Sequence, residues 1–286
     1  MKNFCALKTC LDNLVKVYDV QYLDSDPIGL VHDYETLDDI EIAGFITASL
    51  AYGGAVQIRS SVCDVLNRMG SSPAEFVRNV TLSDAMETFL GFKHRWTDGY
   101  DIACLVWALR CTIKEAGSLG ALVQKLDNPG DETIEGTMIR LSAWLLDETG
   151  DCPGIGIKRK PISYLIPSPS KGSACKRLAM FFRWMVRGPD GIDFGLWKFL
   201  HPGRLVIPLD RHIGRMAGLL GLSSRRSQDW KMALEITAEL RKLDPDDPLK
   251  YDFALVRPGI VGSCTSSLRG DCETCTLSEV CSGING

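Results

Sequence analysis

A lysine and an aspartate lie in the two most distinctive stretches of the sequence. Residues 171–187 read KGSACKRLAMFFRWMVR, and residues 205–215 read LVIPLDRHIGR. In the first stretch, Gly172 can adopt the positive φ of a tight turn, and the apolar spacing after it predicts a helix with Lys176 in its first turns. In the second, Asp210 follows an extended apolar segment and stands where a helix N-cap belongs. The pattern predicts that Lys176 and Asp210 flank a connection and can face each other across a groove.

The chemistry that these two residue types allow is nucleophilic attack next to a fixed negative charge. A helix N-terminus lowers the pKa of an N-cap aspartate and keeps the carboxylate ionised at neutral pH. A partly desolvated lysine set among other cations, such as Arg177, loses proton affinity and can form a Schiff base with an electrophilic carbon. On the residues alone, the simpler interpretation is that Lys176 is a surface lysine and Asp210 only a helix cap.

Four cysteines near the C-terminus predict a metal site. Their spacing is C-x7-C-x2-C-x5-C, and the segment between them is polar and contains glycine, so a metal would be what folds it. Disulfides are the poorer alternative in a cytoplasmic protein. Spacing does not separate zinc from an iron–sulfur cluster. The predicted ligands are Cys264, Cys272, Cys275 and Cys281.

Composition and charge bound the class of protein. Of the 286 residues 45% are hydrophobic, which is enough for a sizeable core, and no apolar run approaches a membrane span or a signal peptide, so we expect a cytoplasmic protein. The net charge of −4 alone argues against a nucleic-acid partner. However, residues 154–188 carry eight basic and no acidic residues, a local stripe suited to a polyphosphate. Its members are Lys158, Arg159, Lys160, Lys171, Lys176, Arg177, Arg183 and Arg187.

The secondary-structure pattern is almost entirely helical, without a convincing strand. Residues 100–116 are apolar on most sides and predict a central buried helix. Residues 151–171 are the main irregular segment. The other predicted helices are 5–18, 36–51, 55–69, 73–79, 82–90, 118–126, 132–147, 172–187, 210–221, 227–243 and 247–256.

The two charged stretches, taken in order with the cysteines, resemble the helix-hairpin-helix DNA glycosylases, the superfamily of endonuclease III and 8-oxoguanine glycosylase. Gly172-Ser-Ala-Cys-Lys176 is similar to the G-x-G-x-K hairpin, with Ala174 at the second glycine. The segment from Leu209 to Arg215 is similar to V-D-x-H-x-x-R. The longer connection between them looks more like the archaeal 8-oxoguanine glycosylase branch and a branch of uncharacterised bacterial proteins.

The resemblance implies an all-α, two-lobed fold. Residues 34–200 would form a six-helix lobe ending in the hairpin, and residues 1–33 plus 201–286 a second lobe with the cluster loop 264–281. It favours a [4Fe–4S] cluster over zinc, with a structural role that holds Arg257 and Arg269 near the DNA backbone. It also implies that Lys176 is the nucleophile and Asp210 its electrostatic partner, with His212 a structural hydrogen-bonding residue.

Duplex DNA with a flipped damaged base is the implied partner, and we expect a monomer. The hairpin would offer backbone N–H groups to a phosphate, which positions the duplex without reading its sequence. The expected DNA-binding residues are Lys171, Gly172, Ser173 and Arg177. Aromatic residues that could sandwich the base are Phe181, Trp184 and Trp197, although helical spacing favours a core role for the first two.

Three functions compete on these observations. The first is a base-excision repair glycosylase with AP lyase activity, an oxidised purine such as 8-oxoguanine being the favoured substrate. The second is a non-catalytic DNA-binding module with a structural metal cluster. Ala174, which stands in place of the second hairpin glycine, favours this function. The third is a zinc-stabilised helical interaction protein, in which the basic stripe is only a solvated face. Salt-dependent DNA binding would separate the first two from the third.

Overall fold

The chain is predominantly helical in a computed structural model that describes residues 3–150, 162–264 and 272–282. The described helices are α1 (Phe4–Val17), α2 (Leu37–Leu50), α3 (Ala55–Met69), α4 (Pro73–Asn79), α5 (Leu82–Thr88), α6 (Gly99–Ala116), α7 (Leu119–Leu126), α8 (Glu135–Gly150), α9 (Lys176–Val186), α10 (Arg211–Leu219), α11 (Trp230–Arg241) and α12 (Asp252–Ile260). Short 3₁₀ turns occur at residues 20–25, 27–30, 162–164, 169–171, 202–204 and 248–251. The coarse prediction of an all-α chain is therefore confirmed.

The predicted helices correspond to observed ones because their signals are local. Thr81 and Asp84 cap each other's backbone at the start of α5, and Asp98 and Asp101 do the same at α6. A Gly in the left-handed region (Gly117) ends α6. The irregular segment predicted at 151–171 lies outside the described residues up to position 161.

One hairpin departs from the prediction that the chain has no strand. Strands β1 (Lys93–His94) and β2 (Thr97–Asp98) pair antiparallel, with His94 opposite Thr97. Each strand has two residues, too few to show a period-2 pattern, so the sequence contained no strand signal.

The chain divides into two compact units. The continuous unit comprises Leu23–Lys171, and the split unit comprises Met1–Tyr22 with Gly172–Gly286. The resemblance implied boundaries at residues 33/34 and 200/201 instead. Helix α9 belongs to the split unit, where its Arg183 forms buried ion pairs with Asp193 and Asp252.

In the continuous unit, α6 is the central helix. It packs against α4, α5, α7 and α8, and its residues from Ile102 to Leu109 are buried except for Trp107, which is half-buried. The prediction of a buried central helix is confirmed. Glu41 of α2 is also buried, and its carboxylate accepts hydrogen bonds from the Gly120 N–H at the start of α7, at 3.1 and 3.2 Å.

In the split unit, α12 packs against α1 and α10. Helix α9 contributes a run of buried residues from Leu178 to Val186 to the core of this unit. The N-terminal helix is thus joined to the C-terminal half of the chain. No helix in the part of the chain that the structure describes combines the length and hydropathy that a transmembrane segment requires.

Candidate functional site

Asp210 is the N-cap of α10, as predicted. Its Oδ1 accepts hydrogen bonds from the backbone N–H groups of His212 and Ile213, at 2.8 and 3.0 Å. These bonds satisfy two of the donors that the first turn of a helix leaves without an intrahelical partner. The second carboxylate oxygen, Oδ2, does not take part in this cap.

Lys176 is the first residue of α9, and its Nζ lies 2.9 Å from Asp210 Oδ2. The two residues are therefore in direct contact although 33 residues separate them in the sequence, and both belong to the split unit. The Asp210 side chain is 19% exposed and that of Lys176 is 37% exposed. An amine reachable from solvent is thus held against a largely buried carboxylate.

The pKa of Asp210 is lowered from the usual aspartate value. Burial, the largest single influence, acts to raise it, but the positive charge of Lys176 and the hydrogen bond from Ile213 outweigh burial. The carboxylate therefore stays ionised at neutral pH. An ionised carboxylate beside an amine can stabilise positive charge that develops on a bound substrate.

The turn before α9 has two residues in the left-handed region. Gly172 has φ +73°, which matches its predicted role, and Cys175 has φ +49° immediately before Lys176. Cys175 is buried, and its N–H lies 3.3 Å from the Ser173 hydroxyl oxygen. A non-glycine residue in this region costs energy, so the surrounding contacts hold the start of α9 in place.

A second basic segment lies beside this turn, and the sequence analysis missed it. Ser173 pairs with Asp229 in an isolated antiparallel bridge, and the Trp230 N–H lies 3.4 Å from the Gly172 carbonyl oxygen. Asp229 also forms an ion pair with Arg225 at 3.1 Å, and Arg225 and the neighbouring Arg226 are both exposed. No local signal could have found it, because more than 50 residues separate the two segments.

The four predicted DNA-binding residues are accessible to different degrees. Lys171, Gly172 and Ser173 are exposed, whereas Arg177 is half-buried. Lys171 is the last residue of the continuous unit, and the other three belong to the split unit. Of the basic stripe, Lys158, Arg159 and Lys160 lie outside the described residues.

Two arginines of the predicted stripe are not available to a polyphosphate. Arg183 is 4% exposed and pairs with Asp193 and Asp252. Arg187 pairs with Asp190, Asp193 and Asp247. The prediction is wrong for these arginines because Arg183 lies on the buried side of α9 and Arg187 caps the end of that helix, and aspartates neutralise both of them.

The core role expected for Phe181 and Trp184 is confirmed, whereas the expectations for Trp197 and Arg257 are corrected. Phe181, Trp184 and Trp197 are all buried, and the Phe181 and Trp197 ring centroids lie 5.3 Å apart, so these rings belong to the core and do not sandwich a base. Arg257 is 0% exposed, its guanidinium carbon 3.9 Å from the Phe253 ring centroid, so it does not face a DNA backbone. Arg269 lies outside the described residues.

His212 supports Asp210 through its backbone N–H, as described above. Its Nε2 accepts a hydrogen bond from Arg211 Nε at 3.3 Å, and its Nδ1 lies so close to Gly259 that a Cβ there would come within 2.3 Å. Burial is the main influence that lowers the pKa of this imidazole; the Asp210 charge opposes it, and the neighbouring cations add to the lowering. A neutral ring packed against α12 fits the predicted structural role.

None of the cysteines in the described ranges, including the four near the C-terminus, forms a disulfide. Burial raises the pKa of Cys275; the hydrogen bond from the Leu277 N–H opposes this effect, and the charges of Cys264, Cys281 and Cys272 add to it. The Leu277 N–H lies 3.4 Å from Cys275 Sγ. The donor chemistry fits zinc or an iron–sulfur cluster, although among the described residues no three His, Cys, Asp or Glu side chains are arranged around one ion.

The cysteine segment is attached to the helix that carries Asp210. Arg215, in the middle of α10, donates a hydrogen bond to the Cys264 carbonyl, and the Ser282 hydroxyl lies 2.9 Å from the carbonyl oxygen of Leu219, the last residue of α10. Both ends of the described segment thus contact α10.

The comparison with protein families gives one match, which spans residues 26–261 and therefore most of the chain. That family is described as "Protein of unknown function (DUF2400)". The chain belongs to this family. The DUF2400 match includes both Lys176 and Asp210, whereas Cys264 and the cysteines after it follow the matched range. Comparisons with curated proteins and with solved structures gave no match.

Proposed function

We propose that this DUF2400 chain is a DNA glycosylase with AP lyase activity of the helix-hairpin-helix type, acting on a damaged base in duplex DNA. An oxidised purine such as 8-oxoguanine is the leading substrate. The observation that carries the proposal is the 2.9 Å contact between Lys176 Nζ and Asp210 Oδ2, each at the start of a helix. The two motifs that suggested the glycosylase resemblance supply these two residues.

The chemistry follows from the roles that the two groups can take. Cleavage of an N-glycosidic bond builds positive charge on the sugar, and the ionised Asp210 carboxylate would stabilise that charge. Lys176 Nζ, after losing a proton, would attack C1′ as the bond to the base breaks and the base leaves with the bonding electrons. Asp210 Oδ2 is within reach of the departing Nζ proton. Opening of the sugar ring would then give a Schiff base between Nζ and C1′.

The surface around the turn supports a DNA partner. Asp229 bridges to Ser173 and forms an ion pair with Arg225, and Arg225 and the neighbouring Arg226 are both exposed. Exposed arginines of this kind can contact the phosphates of a duplex. Phosphate contacts of this kind position a duplex without reading its sequence. When the logarithm of the DNA-binding constant is plotted against the logarithm of the salt concentration, the steepness of the line reports the number of phosphate contacts. Replacing Arg226 by alanine is expected to lower this steepness by about 0.9, the value for one phosphate contact.

The test of the proposal is borohydride trapping on duplex oligonucleotides that contain 8-oxoguanine, other lesions or an abasic site. Borohydride reduces a Schiff base to a stable amine, so a lyase becomes covalently attached to its DNA. We expect attachment with the wild-type chain, no attachment with Lys176→Ala, and normal attachment with Lys16→Ala, a control at another exposed lysine.

Two other results of the same experiment would indicate a different function. Base release without trapping, lost in Asp210→Asn, would indicate a glycosylase without lyase activity and would remove Lys176 from the nucleophile role. Salt-sensitive DNA binding with neither release nor trapping on any lesion would indicate the non-catalytic binding module.

For the cysteine segment we propose a [4Fe–4S] cluster held by Cys264, Cys272, Cys275 and Cys281, with zinc as the alternative. The group would fold the segment and fix it on α10, and no step of the chemistry passes through it. An iron–sulfur protein is brown, with broad visible absorbance, whereas a zinc protein is colourless and yields zinc on acid release. Absence of both metals from protein purified without chelator would refute the proposal.

A further inference from the structure

The turn of the β1–β2 hairpin presents a tryptophan to solvent. Because His94 pairs directly with Thr97, the turn consists of Arg95 and Trp96 alone. Two-residue turns favour glycine or asparagine, yet Arg95 adopts φ +55°. Trp96 is 57% exposed. Backbone strain at Arg95 and an exposed aromatic ring at Trp96 thus occur in one turn, and both features cluster at functional sites.

Trp96 is the centre of a group of rings. Its ring stacks on Tyr52, with centroids 5.9 Å apart and planes inclined by 16°, and meets the edge of Tyr164 at 5.5 Å. The Arg95 guanidinium carbon lies 4.6 Å from the Trp96 ring centroid. We name Tyr52, Arg95, Trp96 and Tyr164 the aromatic platform. Tyr164 is itself 43% exposed, so two rings of the platform offer surface to a ligand.

The platform is held from beneath by a buried hydrogen-bond network. His94 is 0% exposed, with Nε2 lying 2.9 Å from the Tyr52 carbonyl oxygen and Nδ1 lying 2.8 Å from the Ser61 hydroxyl. A carbonyl only accepts, so Nε2 carries the proton and Nδ1 accepts from Ser61. The Tyr52 hydroxyl in turn contacts Thr97 Oγ1 at 2.5 Å. The rings are therefore placed before any ligand arrives, which lowers the entropic cost of binding.

The composition of the platform selects the chemistry of its ligand. Flat aromatic faces bind another flat ring by stacking, and a guanidinium adds attraction for an electron-rich ring and for nearby negative charge. Lys93, exposed at the start of the hairpin, adds a second cation. A nucleobase carried on a phosphate backbone has all of these properties. A paired base is covered by its neighbours in the stack, so only an unpaired base offers a free face.

We propose that the aromatic platform is a binding site for an unpaired nucleobase of a DNA strand. The site lies entirely within the continuous unit, whereas Lys176 and Asp210 belong to the split unit, and it needs no glycosylase chemistry. Only the choice of DNA as the source of the base rests on the proposed function.

Tryptophan fluorescence can report binding at the platform, because Trp96 is the most exposed of the six tryptophans and the other five are half-buried or buried. Titration with a single-stranded thymidine oligonucleotide is expected to quench the tryptophan fluorescence of the wild-type chain. Measured by anisotropy of labelled DNA, Trp96→Ala should weaken binding about 5- to 150-fold, the loss of one base–aromatic stack. Trp96→Phe should retain most of the affinity, because it keeps a ring.

The matched control is Leu90→Ala, which removes an exposed apolar side chain, 78% exposed, from the same unit. It should leave the dissociation constant unchanged. Photo-crosslinking of an oligonucleotide that contains 5-iodouracil, followed by mass spectrometry, should place the adduct on Trp96 or Tyr164.

Wild-type DNA binding by Trp96→Ala, or crosslinks elsewhere, would overturn the proposal. So would a change in sedimentation of Trp96→Ala with unchanged DNA binding, which would make this face an interface between copies of the chain. Failure of the glycosylase proposal is distinguishable, because it would abolish trapping while leaving Trp96-dependent binding intact.

Discussion

Replacing Asp210 separates the two roles of its carboxylate. In Asp210→Asn the amide oxygen can still accept the hydrogen bonds from His212 and Ile213, but the negative charge that faces Lys176 is gone. In Asp210→Ala both the cap and the charge are removed. The pair of variants therefore measures the cap and the charge independently.

The expected magnitudes follow from the geometry. Loss of a helix N-cap costs about 0.5–2 kcal/mol. The ion pair adds at most about 1 kcal/mol, because the Lys176 side chain is 37% exposed and water can replace its partner. We therefore expect Asp210→Ala to lower the free energy of unfolding by about 0.5–3 kcal/mol and Asp210→Asn by no more than about 1 kcal/mol. Both variants should lose glycosylase activity, since both lack the charge.

The dependence on pH provides a second check. Although burial acts to raise the pKa of Asp210, Lys176 and the Ile213 hydrogen bond lower it in the folded chain. An acid whose folded pKa lies below its unfolded value stabilises the fold above that unfolded value, about pH 4, and loses this contribution as pH falls through the folded pKa. The stability difference between wild type and Asp210→Asn should thus shrink below about pH 4.

The assay is urea denaturation of the three chains at pH 7 and at steps down to pH 3, followed by far-ultraviolet circular dichroism. Equal destabilisation by Asp210→Asn and Asp210→Ala at pH 7 would refute the assignment of a separable cap. A stability gap that stays constant with pH would refute the assignment of a charge contribution. Base release by Asp210→Asn at the wild-type rate would remove the carboxylate from the proposed mechanism.

Two further predictions concern buried charges. Arg183→Met should lower the free energy of unfolding by about 3–5 kcal/mol, because it leaves Asp193 and Asp252 buried without their shared cation. A loss below about 1 kcal/mol in urea denaturation would contradict the ion pairing. Glu41→Ala should cost about 1.5–3 kcal/mol by removing the charged acceptor of the Gly120 N–H, and Glu41→Gln should cost less because it keeps an acceptor. Thermal unfolding would test this order, and equal losses would argue that the contact with α7 contributes nothing.

Much of the fold could be predicted from the sequence because its signals are local. Helix periodicity, the N-cap at Asp210 and the positive φ of Gly172 each depend on residues within a few positions of one another. The exposed turn of the hairpin could not be predicted, since two residues per strand show no alternation and Arg95 is not a usual turn residue.

The sequence by itself determined which residues can begin a helix, ionise or bind a metal. Only the tertiary structure decided which of them meet. It brought Lys176 to Asp210, and it buried Arg183 against Asp252, 69 residues away. A basic residue in the sequence therefore became either a candidate nucleophile or a core ion pair according to the face of α9 on which it lies. The physical reason is that the burial of a basic residue and its ion-pair partner both depend on contacts between distant segments. Local periodicity contains no information about which distant residue becomes that partner.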